Sequence, residues 1–446
     1  MDIAALRDAF TRVYPESGQP FVCRAPGRVN LIGEHTDYNG LPVLPMAMDR
    51  GVTIVFTGRS DGVVRLQNEA PAFEAVTFQN GADIAPSPPG AWENYVKAAI
   101  QGLNRTFGFD ANQGMDMLVA GDLPMAAGLA SSSALVVGAA LAYLAIMDRT
   151  LDADITRLEL ADTLAQAEHY AGTQGGGMDQ AVILGAVAGH ACKIDFRPLR
   201  LEQVPVFKDH AVVVCDSLVK AEKTGAARAR YNAGPQLAGL ITALVEKQLQ
   251  REFDEEIRLA CLGDLTYGLL CLTHREAGDV CGRAIPHERL TLADVAQRLD
   301  MPPEAVQAQW LDGIETPDGG YALRARMRHL LTEYERVEAA RDALVAQAPA
   351  TFGELMNASH ESCAHDYDIS CPELDSLVAT AREGGAIGAR LTGAGFGGAT
   401  VNLVPADAMP RFMDHVTKHY YAGHLEPGAA PPILVSAPAA GAAFLP

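Results

Sequence analysis

Hydrophobic positions recur with two different periods along the chain, and each period predicts a different kind of element. Apolar residues three or four apart over residues 1–14, among them Leu6 and Phe10, predict an amphipathic helix. Apolar and polar positions alternate over residues 51–58, which predicts a half-buried strand. Such segments alternate up to about residue 216, so we expect helices and strands to be mixed in this part of the chain.

The remaining predicted elements follow the same two patterns. We predict strands over residues 21–25, 115–120, 181–190, 211–216, 399–404 and 432–437. We predict helices over residues 92–107, 133–147, 158–170, 236–253, 291–299, 324–347, 351–365 and 374–384, and a Pro/Gly-rich loop over 82–90. Because long helices dominate after residue 236, we place a domain boundary near residue 205.

Composition and charge restrict the class of protein. A chain of 446 residues is long enough for two or three domains with a sizeable core. The formal net charge of −20 argues against nonspecific binding to nucleic acid or to an anionic membrane surface. The eight cysteines form no metal-binding pattern, and the first residues lack the features of a signal peptide. We therefore expect a cytoplasmic protein with free thiols that binds neither nucleic acid nor membrane.

Residues 27–40 are dense in directional hydrogen-bonding groups and read GRVNLIGEHTDYNG. Charged and amide side chains surround an apolar Leu-Ile-Gly centre, so we expect neither an ordinary strand nor an ordinary helix. The vicinal hydroxyls of a sugar need several fixed donors and acceptors, which this segment offers. Its composition alone is equally compatible with a polar, capped turn.

Residues 123–134, LPMAAGLASSSA, precede a strongly apolar predicted helix. Small residues before a helix let backbone N–H groups approach an anion, and the helix N-terminus adds partial positive charge. The three serines can cap the helix or bind the ligand. The segment differs from the lysine-containing P-loop, and by itself it is compatible with a well-capped core helix.

Two further glycine-rich segments carry candidate chemistry. Residues 175–180, GGGMDQ, contain Asp179, which in isolation reads as a helix cap or a turn residue. Residues 393–398 read GAGFGG, and a predicted strand rather than a helix follows them. That order argues against a dinucleotide-binding fingerprint, which opens a helix.

Taken together, these segments resemble the galactokinases, which belong to the GHMP family of small-molecule kinases. The resemblance implies an α+β GHMP kinase fold with two mixed α/β domains and an active site in the cleft between them. The expected domains are residues 1–205 and 206–446, the second with a helical insertion at about 247–330. The implied reaction transfers the γ-phosphoryl group of ATP to the anomeric hydroxyl of galactose, with Mg²⁺ as the metal and a monomer as the expected state.

The resemblance also assigns residues to the sugar and to the chemistry. Asp179 corresponds to the general base, or to the group that orients the reacting hydroxyl, and Arg28 is expected beside it, where it can stabilise charge on the phosphoryl group. The sugar site would comprise Arg28, Glu34, His35, Asp37, Gly176, Asp179 and Tyr231. Positioning must supply much of the rate in such a reaction.

The nucleotide site follows from the same resemblance. The residues that would bind ATP are Trp92, Tyr95, Ala127, Gly128, Leu129, Ser131, Ser132 and Ser133. Ser132 and Glu168 would hold Mg²⁺, a hard cation that prefers oxygen ligands. The loop departs from the family pattern at Ala126 and Ala130, and since a positive φ would strain an alanine, we expect ordinary φ values at both.

Two alternatives stay open at this point. The spacing between Val219 and Tyr231 is similar to that of fungal galactokinases and animal N-acetylgalactosamine kinases, so N-acetylgalactosamine is the alternative sugar. Some relatives are non-catalytic sensors of galactose and ATP, with a phosphate loop shortened at the serines. The serines at 131–133 are all present here, which favours an enzyme.

Overall fold

The computed structural model describes residues 2–109, 112–124, 128–172, 175–220, 225–268, 270–426 and 428–446, without the side chains of residues 225–231. Three residues singled out in the sequence are affected by these gaps. Ala126 and Ala127 lie outside the described residues, and so does the side chain of Tyr231.

Strands and helices alternate in the first half of the chain, and helices dominate the second. The strands are β1 Phe21–Ile32, β2 Leu44–Arg59, β3 Val63–Asn68, β4 Val76–Gln79, β5 Gly114–Gly121, β6 His190–Phe196, β7 Leu199–Pro205, β8 His210–Asp216, β9 Gly388–Thr392, β10 Ala399–Pro405, β11 Ile433–Ser436 and β12 Ala443–Leu445. The helices are α1 Ile3–Val13, α2 Glu93–Phe107, α3 Ser131–Ile146, α4 Arg157–Glu168, α5 Met178–Gly185, α6 Gly225–Glu252, α7 His274–Ala284, α8 Leu292–Leu299, α9 Pro303–Trp310, α10 Leu323–Val345, α11 Pro349–Ser362, α12 Pro372–Gly384 and α13 Met409–His419.

The first sheet has six strands in the order β12-β1-β2-β5-β3-β4. Helices α2, α3, α4 and α5 share one apolar core with this sheet. Nearly every position of α3 is buried, as expected for a helix that is apolar on all sides. This arrangement holds the N-terminus of α3 firmly at the edge of the candidate site.

The second sheet has four strands in the order β11-β8-β10-β9. Helices α12 and α13 share a core with it, while α6 to α10 form a separate helical core. Helix α10 also packs against β1 and α11. Strand β1 of the first domain is therefore in direct contact with helices of the second half of the chain.

Most predicted helices are confirmed within a few residues, but the predicted strand over residues 181–190 is wrong. This segment is the helix Met178–Gly185 followed by a turn, and β6 begins only at His190. An apolar run of this length carries no period that separates a buried strand from a buried helix. The strands β3, β4, β6, β7, β9 and β12 and the helix α13 were not predicted, whereas α7 and α9 lie within the expected helical insertion at about 247–330.

The last strand departs from the predicted division into residues 1–205 and 206–446. Strand β12 pairs antiparallel with β1, so that Val22 lies opposite Leu445 and Arg24 opposite Ala443. The final residues of the chain thus complete the first sheet rather than the second. Among the helices within the described ranges, none is both long and apolar enough to cross a membrane.

Candidate active site

The polar segment at residues 27–40 is half strand and half turn. Contrary to the expectation from its composition, residues 27–32 continue β1, although the pairing with β2 is irregular at Pro26/Arg28 and at Asn30/Ile32. The chain then leaves the sheet, and His35 adopts a left-handed backbone with φ 60° before a short 3₁₀ turn at Asp37–Asn39. These bends turn successive polar side chains toward one pocket.

Arg28 and Asp179 form the central ion pair of this pocket. Arg28 Nε donates to Asp179 Oδ1 at 2.6 Å, and Arg28 Nη1 donates to the carbonyl of Gly128 at 2.6 Å. Burial alone would lower the pKa of Arg28, but the carboxylates of Asp179, Glu34 and Asp37 outweigh it and raise that pKa. The predicted pair from two distant segments is thus brought together.

Asp37 faces Asp179 and is tied to the loop before α5. The N–H group of Gly176 donates to Asp37 Oδ2 at 3.1 Å. Burial, and then the negative charge of Asp179, raise the pKa of Asp37 to about 6, against hydrogen bonds from the backbone of Tyr38 and Gly176. Asp37 is therefore a carboxylate whose protonation changes close to neutral pH.

Glu34 and His35 also line the pocket, but they differ in the atoms left for a ligand. Glu34 Oε1 accepts from Arg390 Nη1 at 3.2 Å and from the N–H group of Gly393 at 2.9 Å. Both ring nitrogens of His35 have protein partners, since Nδ1 lies 2.7 Å from the Tyr38 hydroxyl and Nε2 lies 3.2 Å from the carbonyl oxygen of Ala394. Burial lowers the pKa of His35 to about 3, so its ring is neutral and shapes the pocket wall.

The residues predicted to hold the metal lie at the start of α3 and the end of α4. Ser133 Oγ donates to Glu168 Oε2 at 2.8 Å and lies 3.3 Å from Asp179 Oδ2, whereas the Ser132 side chain hydrogen-bonds to Tyr95. Gln180 donates to the same Glu168 carboxylate. Ser133 thus stands next to the acid where the resemblance had named Ser132.

The expected ordinary φ at Ala130 is wrong. Ala130 adopts φ 58° and ψ 37°, the left-handed region, and it is the N-cap residue of α3 without a side-chain hydrogen bond. The serines therefore begin the helix, with Ser131 as its first residue, instead of capping it. Tertiary contacts hold this strained residue, because Ala130 is buried and the preceding carbonyl of Leu129 accepts from the N–H group of Arg28 at 3.2 Å.

The glycine-rich segment 393–398 packs against Gly128, which lies in the phosphate-loop segment of residues 123–134. A Cβ atom added to Gly393 would lie 3.0 Å from the carbonyl oxygen of Gly128, and both glycines have positive φ. The two backbones therefore approach each other more closely than side chains would allow. This contact joins the second sheet to the loop that precedes α3.

Trp92 and Tyr95 lie at the start of α2. The Trp92 ring meets that of Phe73 edge-on at 6.0 Å, and both Trp92 and Tyr95 pack partly against the first core. Tyr95 reaches Ser132, which places it beside the phosphate loop. Their contact with adenine stays a prediction.

Sequence reasoning missed three residues of this site. Gln180 holds Glu168, Tyr38 holds His35, and Arg390 holds Glu34. Gln180 and Tyr38 lie within the segments 175–180 and 27–40, where an uncharged side chain beside charged residues gives no separate signal. Arg390 gave a weak signal, a lone arginine in a short apolar segment directly before the third glycine-rich motif.

Comparison with known proteins first defines the class. The GHMP kinase N-terminal domain matches residues 94–186, and the GHMP kinase C-terminal domain matches residues 340–422. A crystal structure of mevalonate kinase superposes with a TM-score of 0.56 over 93% of this chain and 98% of that chain, at 17% identity, which speaks for the fold alone. The fold is that of the GHMP kinases.

More similar relatives then define the family. The galactokinase galactose-binding signature matches residues 8–57. The galactokinase of Dictyostelium discoideum is 32% identical over 95% of this chain and 88% of its own length, and that of Roseiflexus sp. (strain RS-1) is 35% identical over 94% and 92%. The Lactococcus lactis galactokinase complexed with galactose superposes with a TM-score of 0.79 at 28% identity, over 99% of this chain and 100% of that chain. The chain belongs to the galactokinase family and is an ATP-dependent sugar phosphotransferase.

Proposed function

We propose that the protein phosphorylates galactose at its anomeric hydroxyl and releases α-galactose 1-phosphate. The observation that carries this proposal is the pairing of Arg28 with Asp179 at 2.6 Å in one polar pocket with Glu34, Asp37 and Glu168. Such a pocket has acceptors for several sugar hydroxyls and a guanidinium for developing negative charge. The matching relatives are galactokinases, which disfavours both an N-acetylgalactosamine kinase and a non-catalytic sensor.

Arg28 and Asp179 have different roles in the proposed reaction. Asp179 Oδ1 is held by Arg28, which fixes the carboxylate plane, and Oδ2, which lies 3.3 Å from Ser133 Oγ, is proposed to accept the hydrogen of the anomeric hydroxyl. Arg28 is itself fixed by Gly128, which lies in the phosphate loop, so the guanidinium stands between sugar and phosphate. Holding the hydroxyl in line with the phosphoryl group accounts for a large part of the barrier in such reactions.

Sugar recognition falls to the groups around this pair. Glu34 and Asp37 accept from hydroxyls, Gly176 fixes Asp37 through its N–H group, and His35 forms the wall. Tyr231 is proposed to close the pocket because of the resemblance alone. The sugar would thus be held by charge-assisted hydrogen bonds, which are roughly twice as strong as neutral ones.

The ATP site is proposed along residues 127–133, which end in the first turn of α3, with Trp92 and Tyr95 beside the base. The oxygen donors of Glu168, Ser132 and Ser133 suit Mg²⁺, which would neutralise charge on the phosphates. Among the residues that the structure describes, no three acidic, histidine or cysteine side chains form a metal site by themselves. That fits a cation held in part by nucleotide phosphates.

We further propose a cytoplasmic monomer.

A coupled assay of ADP release tests this function. Purified protein with Mg-ATP is offered galactose, N-acetylgalactosamine, glucose, galacturonate and arabinose. Galactose should give the highest kcat/KM, and removal of Mg²⁺ with EDTA should abolish turnover. ADP release with galactose that does not exceed the release without sugar would refute the proposal. A preference for N-acetylgalactosamine would refute the choice of sugar.

A further inference from the structure

Glu34, a proposed sugar ligand, is held by a residue outside the sugar-binding signature. The Arg390 side chain has no solvent exposure and Glu34 is 3% exposed, yet they form an ion pair at 3.2 Å. The N–H group of Gly393 reaches the same oxygen, Oε1, at 2.9 Å. Both contacts fall on Oε1, so the geometry leaves Oε2 to face the pocket that Glu34 lines.

Arg390 is fixed in turn by groups on three elements. Its Nε donates to Ser359 Oγ of α11 at 3.1 Å, and its Nη1 donates to the carbonyl oxygen of Asn30 in β1 at 3.3 Å. Its Nη2 lies 3.7 Å from the sulfur of Cys363. A planar guanidinium bonded on all three nitrogens has one orientation, and a lysine could not reproduce it.

The network continues into helix α10, where Glu333 and His329 hydrogen-bond to the backbone of the sugar-binding signature. The Ser359 hydroxyl donates to Glu333 Oε1, which also accepts from the N–H group of Gly33 at 2.9 Å. His329 Nε2 donates to the carbonyl oxygen of Glu34 at 3.0 Å, and burial lowers the pKa of His329, which keeps the ring neutral. Despite burial, the positive charges of Arg336 and Arg390 lower the pKa of Glu333 to about 2.

The charges of this network balance within the protein interior. Glu34 and Glu333 are negative, while Arg390 and Arg336 are positive, and Arg336 Nε lies 2.6 Å from Glu333 Oε2. Buried ion pairs add little stability compared with apolar residues of the same size, because each charge must lose its water. Stability alone is therefore a poor explanation for the buried charges of Glu34, Glu333 and Arg390, the first of which lines a binding pocket.

We propose that Arg390 is a positioning residue for sugar recognition, which sets the Glu34 carboxylate so that Oε2 meets one particular hydroxyl of the sugar. Glu333 and Ser359 hold Arg390 in place and make the second half of the chain part of the sugar site. This inference rests on the proposed function, since it requires Glu34 to bind the sugar.

The test uses galactose and its 2-, 3-, 4- and 6-deoxy analogues with the full-length protein. Glu34→Gln first identifies the hydroxyl, because the analogue that lacks it should lose much less in Glu34→Gln than in the wild type. Arg390→Lys should raise the KM for galactose by about tenfold or more, the loss expected for a misplaced charged hydrogen bond. It should leave the KM for ATP unchanged and abolish discrimination against that same analogue.

Two further variants keep the test decisive. Arg341 lies on the same helix α10 and forms a partly exposed ion pair with Glu202 of β7. Arg341→Lys is the matched control and should behave as the wild type. Where Arg390→Lys does not fold, Ser359→Ala takes its place, since it removes one support of Arg390 without removing a charge. It should raise the KM for galactose by about fivefold.

The outcomes separate the two claims. A wild-type protein that does not phosphorylate galactose refutes the proposed function itself. An active wild type whose folded Arg390→Lys or Ser359→Ala variant keeps full discrimination against every deoxy analogue refutes only the positioning role. Equal losses for galactose and ATP, or an equal loss in Arg341→Lys, would mark a general structural effect and would also overturn the positioning role.

Discussion

Gly176 lies where the loop before α5 packs tightly against the turn at Asp37–Asn39. We expect Gly176→Ala to disable the enzyme. A Cβ atom at this position would lie 2.2 Å from the backbone nitrogen of Tyr38 and 2.6 Å from Asp37 Cγ. Non-bonded heavy atoms settle at about 3.5 Å or more, so the two segments must separate by about 1 Å. The displaced atoms include the carboxylate of Asp37, and the loop leads directly to Asp179.

The expected loss follows from that displacement. A misplacement of about 1 Å costs about 100-fold in rate, or about 2.7 kcal/mol in transition-state stabilisation. Overpacking of this kind also costs about 1–3 kcal/mol in the free energy of unfolding. Coupled-assay kinetics with galactose and Mg-ATP would measure the first effect, and denaturant unfolding would measure the second.

The neighbouring glycine provides the control. A Cβ atom at Gly175 would have no other atom within 4 Å, so Gly175→Ala should change kcat/KM by only about twofold, the effect of about 0.5 kcal/mol. A Gly176→Ala enzyme that keeps kcat/KM within threefold of the wild type would refute the reasoning. Equal losses in the two variants would also refute it, because they would show that the loop is sensitive to any added methyl group.

Three further predictions concern the same pocket. Asp179→Asn should bind galactose with nearly wild-type affinity in calorimetry but lose about 10²–10⁴ in kcat, and wild-type turnover would exclude its role in the chemistry. Because folding raises the pKa of Asp37 to about 6, the ionised group destabilises the ligand-free protein as the pH rises through that value. Asp37→Asn should therefore gain in melting temperature over the wild type as the pH rises from about 4 to about 6, between the ordinary and the raised pKa, and curves that stay parallel over that range would contradict this. Ser132→Ala and Ser133→Ala separate the two metal assignments. Loss of the true ligand should raise the Mg²⁺ concentration needed for half-maximal rate, and an unchanged concentration in both variants would contradict both assignments.

The fold and the central pair could be predicted because their signals are local and dense. The apolar period of α3 and the polar cluster at residues 27–40 are visible in short windows of sequence. The resemblance then supplied the partner of Arg28, which lies 151 positions away at Asp179. Local pattern identified the elements, and family likeness supplied the long-range pairing.

What escaped prediction depends on tertiary contacts that no local pattern records. The left-handed Ala130 is held by neighbours of the phosphate loop, and an isolated alanine would not adopt that backbone. The helix Met178–Gly185 has its period hidden because residues 181–185 are all apolar or small. In the sequence, Arg390 resembles an ordinary strand residue, and only its ion pair with Glu34 indicates a role in the site. In each case the environment, rather than the residue type, determines the outcome.

The return of β12 to the first sheet has a consequence for the order of folding. Strand β1 bears the sugar signature and needs a partner on both sides, but its outer partner is synthesised more than 400 residues later. Until then, the backbone donors and acceptors of β1 at Val22 and Arg24 are open to pairing with other chains. The first sheet is thus completed only after β12 has been synthesised, so this edge of β1 stays unpaired during the synthesis of the strands between them.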